Sequence, residues 1–327
     1  MSEQGIPRHN YAGEERRIGF EIEYIGLSLE RTAQLIVDLF GGVIRRDHRH
    51  SVAVEVPELG RFEVELDVHL LQELSEASRD NRAAKALDVE GAMNNVLSAL
   101  LTSFAPNEVV CPPVPLSRID DIDELRRAMC REGARGTGDS LAYAFGLHIN
   151  PEVPSLEVDS LRVCLQSFLL LYDWLERRMA IDLTRKVTQF ARPFPREYAV
   201  RVLSVDYRPD MSRFMGDYLA FNPTRNRALD MLPLLAWLDE ARVRKAVRDD
   251  LIKKRPTYHF RMPNCRLDDP DWTLRTEWRH WCLMERLAAD DRRREDMIEA
   301  WREIAGNPFS GATASWARAT DHYVQGL

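Results

Sequence analysis

Four short runs of the sequence carry ligand-capable polar side chains two residues apart between apolar neighbours. They are Glu21 and Glu23 in Ile18-Gly19-Phe20-Glu21-Ile22-Glu23-Tyr24, Glu63 and Glu65 in Phe62-Glu63-Val64-Glu65-Leu66, His148 and Asn150 in Gly146-Leu147-His148-Ile149-Asn150, and Glu277 and Arg279 in Leu274-Arg275-Thr276-Glu277-Trp278-Arg279. A β-strand sends alternate side chains to opposite faces, so each pair projects one way while its apolar neighbours cover the other face. Two carboxylates about 7 Å apart along one strand repel each other unless a cation, a shared proton or solvent relieves them. One such pair also describes a strand edge wetted by water. Four of them, with Glu108 in the Val-rich run that follows Pro106, describe a sheet face lined by carboxylates, an imidazole and guanidinium groups. Without bound cations that face is destabilised by like charges. Oxygen-rich sites with a single His and little sulfur suit Mg²⁺ or Mn²⁺, and such ions commonly act on phosphate groups.

The elements that must position these residues can be read in order. Residues 1–16 read as a loose leader, followed by the Glu21–Glu23 strand. Ser28 suits a helix N-cap, and the apolar stripe Leu29, Leu35, Ile36, Leu39 and Phe40 ends at Gly41-Gly42. Alternating runs at 51–58 and 62–66 flank Gly60 and predict a β-hairpin. A long helical region is expected at about 71–104, a short strand at 107–111 and an amphipathic helix near 121–131. The segment 131–139 contains Gly133, Gly136 and Gly138 and reads as a flexible loop; its glycines would also let backbone amides approach a phosphate. A strand is expected at 141–150 and the most apolar helix at 157–181, with a short helix at 211–219 and one or two longer ones over 228–251. Strands at 258–262 and 275–279 follow, the latter leading into a helix that runs to about 304. Together these predict an α+β fold: one unit at 17–305, a mainly helical insertion at about 155–255, and a tail at 306–327.

With 327 residues, 45% hydrophobic and 30% charged, the chain can bury a large core. A formal net charge of -7 argues against broad electrostatic binding to nucleic acid. The Arg–aromatic stretch at 185–227 is read as ordinary packing with a solvated face. No window suits a membrane span or a secretory signal. The five cysteines are odd in number and lack any CxxC spacing, which fits a reducing, cytoplasmic setting. There is no GxxxxGK[ST] loop, so any nucleotide must be held by the metal-bearing sheet and nearby arginines. His48 and His50 read as exposed in a charged turn, and His259 with Cys265 is not a convincing metal pair.

These motifs resemble a family. Arg17-Ile18-Gly19-Phe20-Glu21-Ile22-Glu23 resembles the opening strand of the amidoligases, which group with glutamine synthetase and glutamate–cysteine ligase in the carboxylate–amine ligase superfamily. Asn107-Glu108-Val109-Val110-Cys111-Pro112-Pro113 resembles their second acidic strand, Gly146–Asn150 their His-bearing strand, and Leu274–Arg279 their late Glu-x-Arg strand. The resemblance implies a glutamine synthetase-like catalytic fold, a curved and largely antiparallel sheet with helices on its outer face. It also implies two or more Mg²⁺ or Mn²⁺ ions held by Glu21, Glu23, Glu108, His148 and Glu277, with Arg279 on the substrate carboxylate or the transferring phosphoryl group. Asn150 departs from the commoner His-x-His form, and Cys111 stands where Ser is usual.

The implied chemistry is ATP-dependent. A carboxylate takes the γ-phosphate to give an acyl phosphate, and an amine then displaces phosphate to form an amide or peptide-like bond. The amine must be neutral when it attacks, so a carboxylate should take its proton; Glu65 and Asp67 are the candidates. Arg261, Arg275 and Arg255 are the secondary candidates for holding phosphate groups. Small-molecule or peptide acids and amines are the expected partners, with neither nucleic acid nor membrane. Two other readings stay open: a guanidino kinase-like phosphoryl transfer, and a binding protein that keeps the fold without turnover.

Overall fold

A computed structural model of the chain describes residues 4–48, 50–66, 106–137, 145–180, 191–305 and 312–327. Alternation of polar and apolar residues organises its sheet. The strands are β1 (Arg17–Tyr24), β2 (Val43–His48), β3 (Ser51–Val56), β4 (Gly60–Leu66), β5 (Asn107–Val110), β6 (Val114–Pro115), β7 (Leu147–Pro151), β8 (Leu229–Asp230) and β9 (His259–Phe260). They form one sheet in the order β2-β3-β4-β5-β1-β7-β9-β8, with β6 also against β1. Every neighbouring pair is antiparallel. The Glu21–Glu23 strand is therefore central, with β5 on one flank and β7 on the other.

The helices are α1 (Leu29–Phe40), α2 (Ile119–Arg131), α3 (Val158–Arg178), α4 (Arg196–Val202), α5 (Met211–Phe221), α6 (Leu232–Leu238), α7 (Glu240–Ala246), α8 (Leu274–Ala289), α9 (Asp291–Ala305) and α10 (Ala312–Val324). One face of the sheet is apolar and lies under helices. Phe20, Ile22, Tyr24, Phe62, Val64, Val109, Leu147, Ile149 and Phe260 are all fully buried. Tyr24 donates to Thr32 of α1 at 2.8 Å, Phe62 stacks on Phe40 of α1, and Phe260 meets Phe168 of α3 and Trp281 of α8. At about 25 cal/mol per Å² of apolar surface removed from water, this face is the main stabilising contact of the sheet.

Local chemistry explains several boundaries. The Ser28 hydroxyl caps α1 by accepting from the Arg31 N–H at 3.1 Å, and Gly41 ends it at a φ of 72°. The hairpin between β3 and β4 closes through Gly60, whose φ of 111° favours glycine. Strand β2 was not anticipated; Arg45, Arg46 and Asp47 hide its pattern, as charges often do on edge strands. The expected helix at 71–104 lies outside the described residues, as does 141–144 of the expected strand at 141–150.

One element differs in kind. Leu274–Arg279 is not a strand but the opening turns of α8. Thr273 caps that helix, accepting from the Thr276 N–H at 3.2 Å, and buried Leu274, Trp278, Trp281 and Leu287 recur at helical spacing. A six-residue run is too short to separate a period of 2 from one of 3.6, which is why it resembles a strand on paper. No described helix is long and apolar enough to cross a membrane.

The ends of the chain are tied to the helical layer. Trp316 of α10 donates to the Leu170 carbonyl of α3 at 2.8 Å. Near the other end, Arg16 is fully buried and forms a two-point pair with Glu285 of α8 at 2.5 and 2.9 Å; it also donates to the carbonyls of Glu152 and Pro7. Trp281 shares the Glu285 carboxylate at 2.7 Å. Removing one partner of such a pair leaves a buried charge uncompensated. Glu285→Ala is therefore expected to lower unfolding stability by about 3–5 kcal/mol in urea titration. A loss below about 1 kcal/mol would show that Arg16 finds water instead.

Candidate metal centre

The other face of the sheet carries the polar residues, and the registers show how they meet. Glu21 lies across from His148 on β7 and from Val110 on β5, while Glu23 lies across from Glu108. Glu65 lies across from Glu108 in turn, so Glu65, Glu108 and Glu23 form one transverse row. Beyond β7, His259 sits across from Asp230.

Glu21 is the hub. Its Oε2 lies 2.8 Å from His148 Nδ1 and 3.4 Å from His259 Nε2; its Oε1 accepts from Asn150 Nδ2 at 2.8 Å and lies 3.3 Å from an Arg255 terminal nitrogen. Glu23 Oε2 accepts from the Gly146 N–H at 2.6 Å, and its Oε1 lies 3.5 Å from His148 Nε2. His148 thus stands between the two carboxylates, edge-on to His259 with ring centres 5.0 Å apart. Glu21, Glu23, His148 and His259 are all buried.

Burial raises the Glu21 carboxyl, but His259 and His148 beside it outweigh that and hold it well below the usual carboxylate range. Burial pushes the His259 imidazole down to about 3, against the pull of the Glu21 carboxylate. Burial likewise pushes Asp230 up to about 7, against the Leu232 N–H and the charges of Arg261, Arg225 and Arg255.

The donors fit divalent cations. Among the described residues, two groups have ligand atoms all within 4.8 Å of one another: Glu21, His148 and His259, and Glu23, Glu108 and His148. Polar atoms buried around them without a hydrogen-bond partner include His259 Nε2, Asn150 Oδ1 and Asp230 Oδ2. Such atoms cost about 1–3 kcal/mol each unless something binds them.

Of the residues expected at the site, the sheet brings together Glu21, Glu23, Glu108 and His148, with Glu65 in their row. Arg255 reaches Glu21, and buried Arg261 acts on His259 and Asp230. It does not bring in Glu277, Arg279 or Arg275. Glu277 lies in the helical layer behind the sheet, accepting from Trp272 Nε1 at 3.0 Å and lying 3.1 Å from His280 Nδ1. Arg279 is exposed on the same helix, and Arg275 forms a two-point pair with Asp120 at 2.6 and 2.9 Å. Among lesser expectations, Glu63 pairs with Arg61 on β4, and Asp67 lies outside the described residues. Burial, with Glu21 and Glu108 nearby, pushes the Cys111 thiol up, so it is no nucleophile. The 133–137 loop does come near the sheet. Arg135 exchanges backbone hydrogen bonds with Ile25, and a side chain at Gly136 would strike the Cys265 carbonyl.

Residues 14–283 match the family described as "Putative amidoligase enzyme". The chain belongs to the amidoligase family. No curated protein and no solved structure matches it. Beside Glu21 and His148 the sheet also sets His259, a residue that its position in the sequence does not tie to them. The signal was present: His259-Phe260-Arg261 is a polar pair at two-residue spacing within a run read as a strand, like the pairs at Glu21 and His148. The neighbours of His259 come from β1, β7 and β8, not from Cys265 nearby in the sequence.

A direct check follows from this geometry. Glu21→Gln is expected to weaken Mn²⁺ binding at least tenfold in calorimetric titration, whereas Glu277→Gln should leave it within twofold. Equal losses in both variants would contradict this placement of the centre.

Proposed function

We propose that this amidoligase is an ATP-dependent carboxylate–amine ligase with a glutamine synthetase-like catalytic fold, forming an amide or peptide-like bond through an acyl phosphate. The observation that carries the reading is the joining of Glu21, Glu23, Glu108, His148 and His259 on one face of a central antiparallel sheet, in a chain of this family. These residues would hold Mg²⁺ or Mn²⁺; His148 is common to both ligand groups and, with one lone pair on its neutral ring, would serve one ion at a time. Such ions, when bound, neutralise the triphosphate and polarise the phosphoryl oxygens.

The chain's own residues have distinct work to do. Arg255 and Arg261 lie on the β7–β9 side of Glu21 and supply positive charge where equatorial phosphoryl oxygens and a substrate carboxylate accumulate negative charge. Asn150 and the Gly146 N–H hold Glu21 and Glu23 by their second oxygens, fixing the direction of the first. Glu65, in the row of Glu108 and Glu23, is the carboxylate we assign to proton removal from the attacking amine. Small-molecule or peptide acids and amines are the substrates. A reducing cytoplasmic setting accords with five free cysteines.

Hydroxylamine tests the reaction without knowledge of the natural amine, because it captures an acyl phosphate as a hydroxamate. Incubation with ATP, Mg²⁺ or Mn²⁺, hydroxylamine and pooled carboxylic acids should yield ADP, phosphate and hydroxamate. Arg261→Ala should lower kcat by about 100-fold or more while retaining most nucleotide affinity. A stable phosphorylated product without hydroxamate would favour a guanidino kinase-like transfer. Failure to bind ATP at any divalent-ion concentration would remove the ligase reading.

A further inference from the structure

The two ligand groups on the sheet differ in chemistry. Glu23, Glu108 and His148 offer two carboxylates and one imidazole; Glu21, His148 and His259 offer one carboxylate and two imidazoles. Carboxylate oxygens suit Mg²⁺, Ca²⁺ and Mn²⁺, whereas imidazole suits the first-row transition ions, whose affinity for nitrogen donors far exceeds that of Mg²⁺. Mg²⁺ also sheds its waters reluctantly and is seldom caged by protein nitrogen.

We infer that the Glu21–His148–His259 group is a transition-metal site that binds Mn²⁺ or Zn²⁺ in preference to Mg²⁺, beside an oxygen-rich site that accepts Mg²⁺. It rests on the proposed function only in taking the sheet face as a seat for divalent ions. Three observations carry it. His259 Nε2 is buried, lacks a hydrogen-bond partner and lies 3.4 Å from Glu21 Oε2. The other Glu21 oxygen is engaged by Asn150 and Arg255, leaving Oε2 as the one turned to the imidazoles. The far side of His259 has a carboxyl too: Asp230 Oδ2 lies 3.8 Å from Nδ1 and has no hydrogen-bond partner of its own. A carboxyl behind a ligating imidazole is the arrangement that orients its ring toward a metal and strengthens it as a donor.

Arg255 and Arg261 do not remove the need for a cation. Arg255 is partly exposed and reaches only Oε1, and Arg261 donates to the Arg225 carbonyl at 3.4 Å. On this account His259 sets which metal the enzyme takes, and replacing it by a carboxylate moves the group toward Mg²⁺.

The test uses the full chain freed of metal by chelator, without nucleotide. Mn²⁺ binding is followed by loss of the free-ion electron paramagnetic resonance signal, with Mg²⁺ as competitor, in wild type and His259→Glu. Wild type should keep one Mn²⁺ against at least a 100-fold excess of Mg²⁺, and pulsed spectra should show coupling to two imidazole nitrogens. His259→Glu should retain one nitrogen and reduce the Mn²⁺-over-Mg²⁺ preference at least tenfold. Absence of nitrogen coupling in wild type, or displacement of all Mn²⁺ by equimolar Mg²⁺, would overturn the inference; both are read without the variant. The hydroxamate assay separates this failure from that of the ligase reading. Product with Mg²⁺ and no metal selectivity sinks the inference alone, whereas selective Mn²⁺ binding with no ATP binding sinks the ligase reading alone.

Discussion

Two carboxylates buried side by side on a central strand are the constraint that orders this structure. Glu21 and Glu23 are only 9% and 7% exposed, and an unpaired buried ion costs several kcal/mol. The strands on one side of β1 answer that cost. Strand β7 brings His148, Asn150 and the preceding Gly146 N–H, and β9 brings His259. Strand β5 does the opposite: it sets Glu108 across from Glu23 and adds negative charge.

The charge is graded across the sheet. On the β4–β5 side of β1 the groups are carboxylates, Glu65 and Glu108; on the β7–β9 side they are imidazoles and guanidiniums, His148, His259, Arg255 and Arg261. The opposite face is apolar and packs against α1, α3 and α8, and burial of that face favours this strand register.

Much of this was legible in the amino-acid order because strand alternation is a local signal. Glu21-x-Glu23, Glu108 and His148-x-Asn150 declared both their strands and their common face, and Ser28 and Gly41 declared the helix between them. Two things were not local. Glu277-x-Arg279 has the same spacing as the true strand pairs, and only the Thr273 cap and the recurrence of Leu274, Trp278 and Trp281 distinguish a helix there. His259 gains its meaning from β1 and β8, more than two hundred and about thirty positions away, and sequence spacing carries no trace of such contacts. His259, with Arg261 two positions on, lies beside Glu21 on the sheet, whereas Glu277 and Arg279 lie on α8.

The central claim is that the polar face around Glu21 is a seat for metal ions rather than a self-neutralised polar core. A crystal structure of the Mn²⁺-soaked protein, with data collected across the manganese absorption edge, tests it most directly. The account predicts an anomalous peak bounded by Glu21, His148 and His259, and a second beside Glu23 and Glu108 at higher ion concentration. Anomalous peaks confined to surface carboxylates, with Glu21 still hydrogen-bonded to His148 and Asn150 at saturating Mn²⁺, would contradict it.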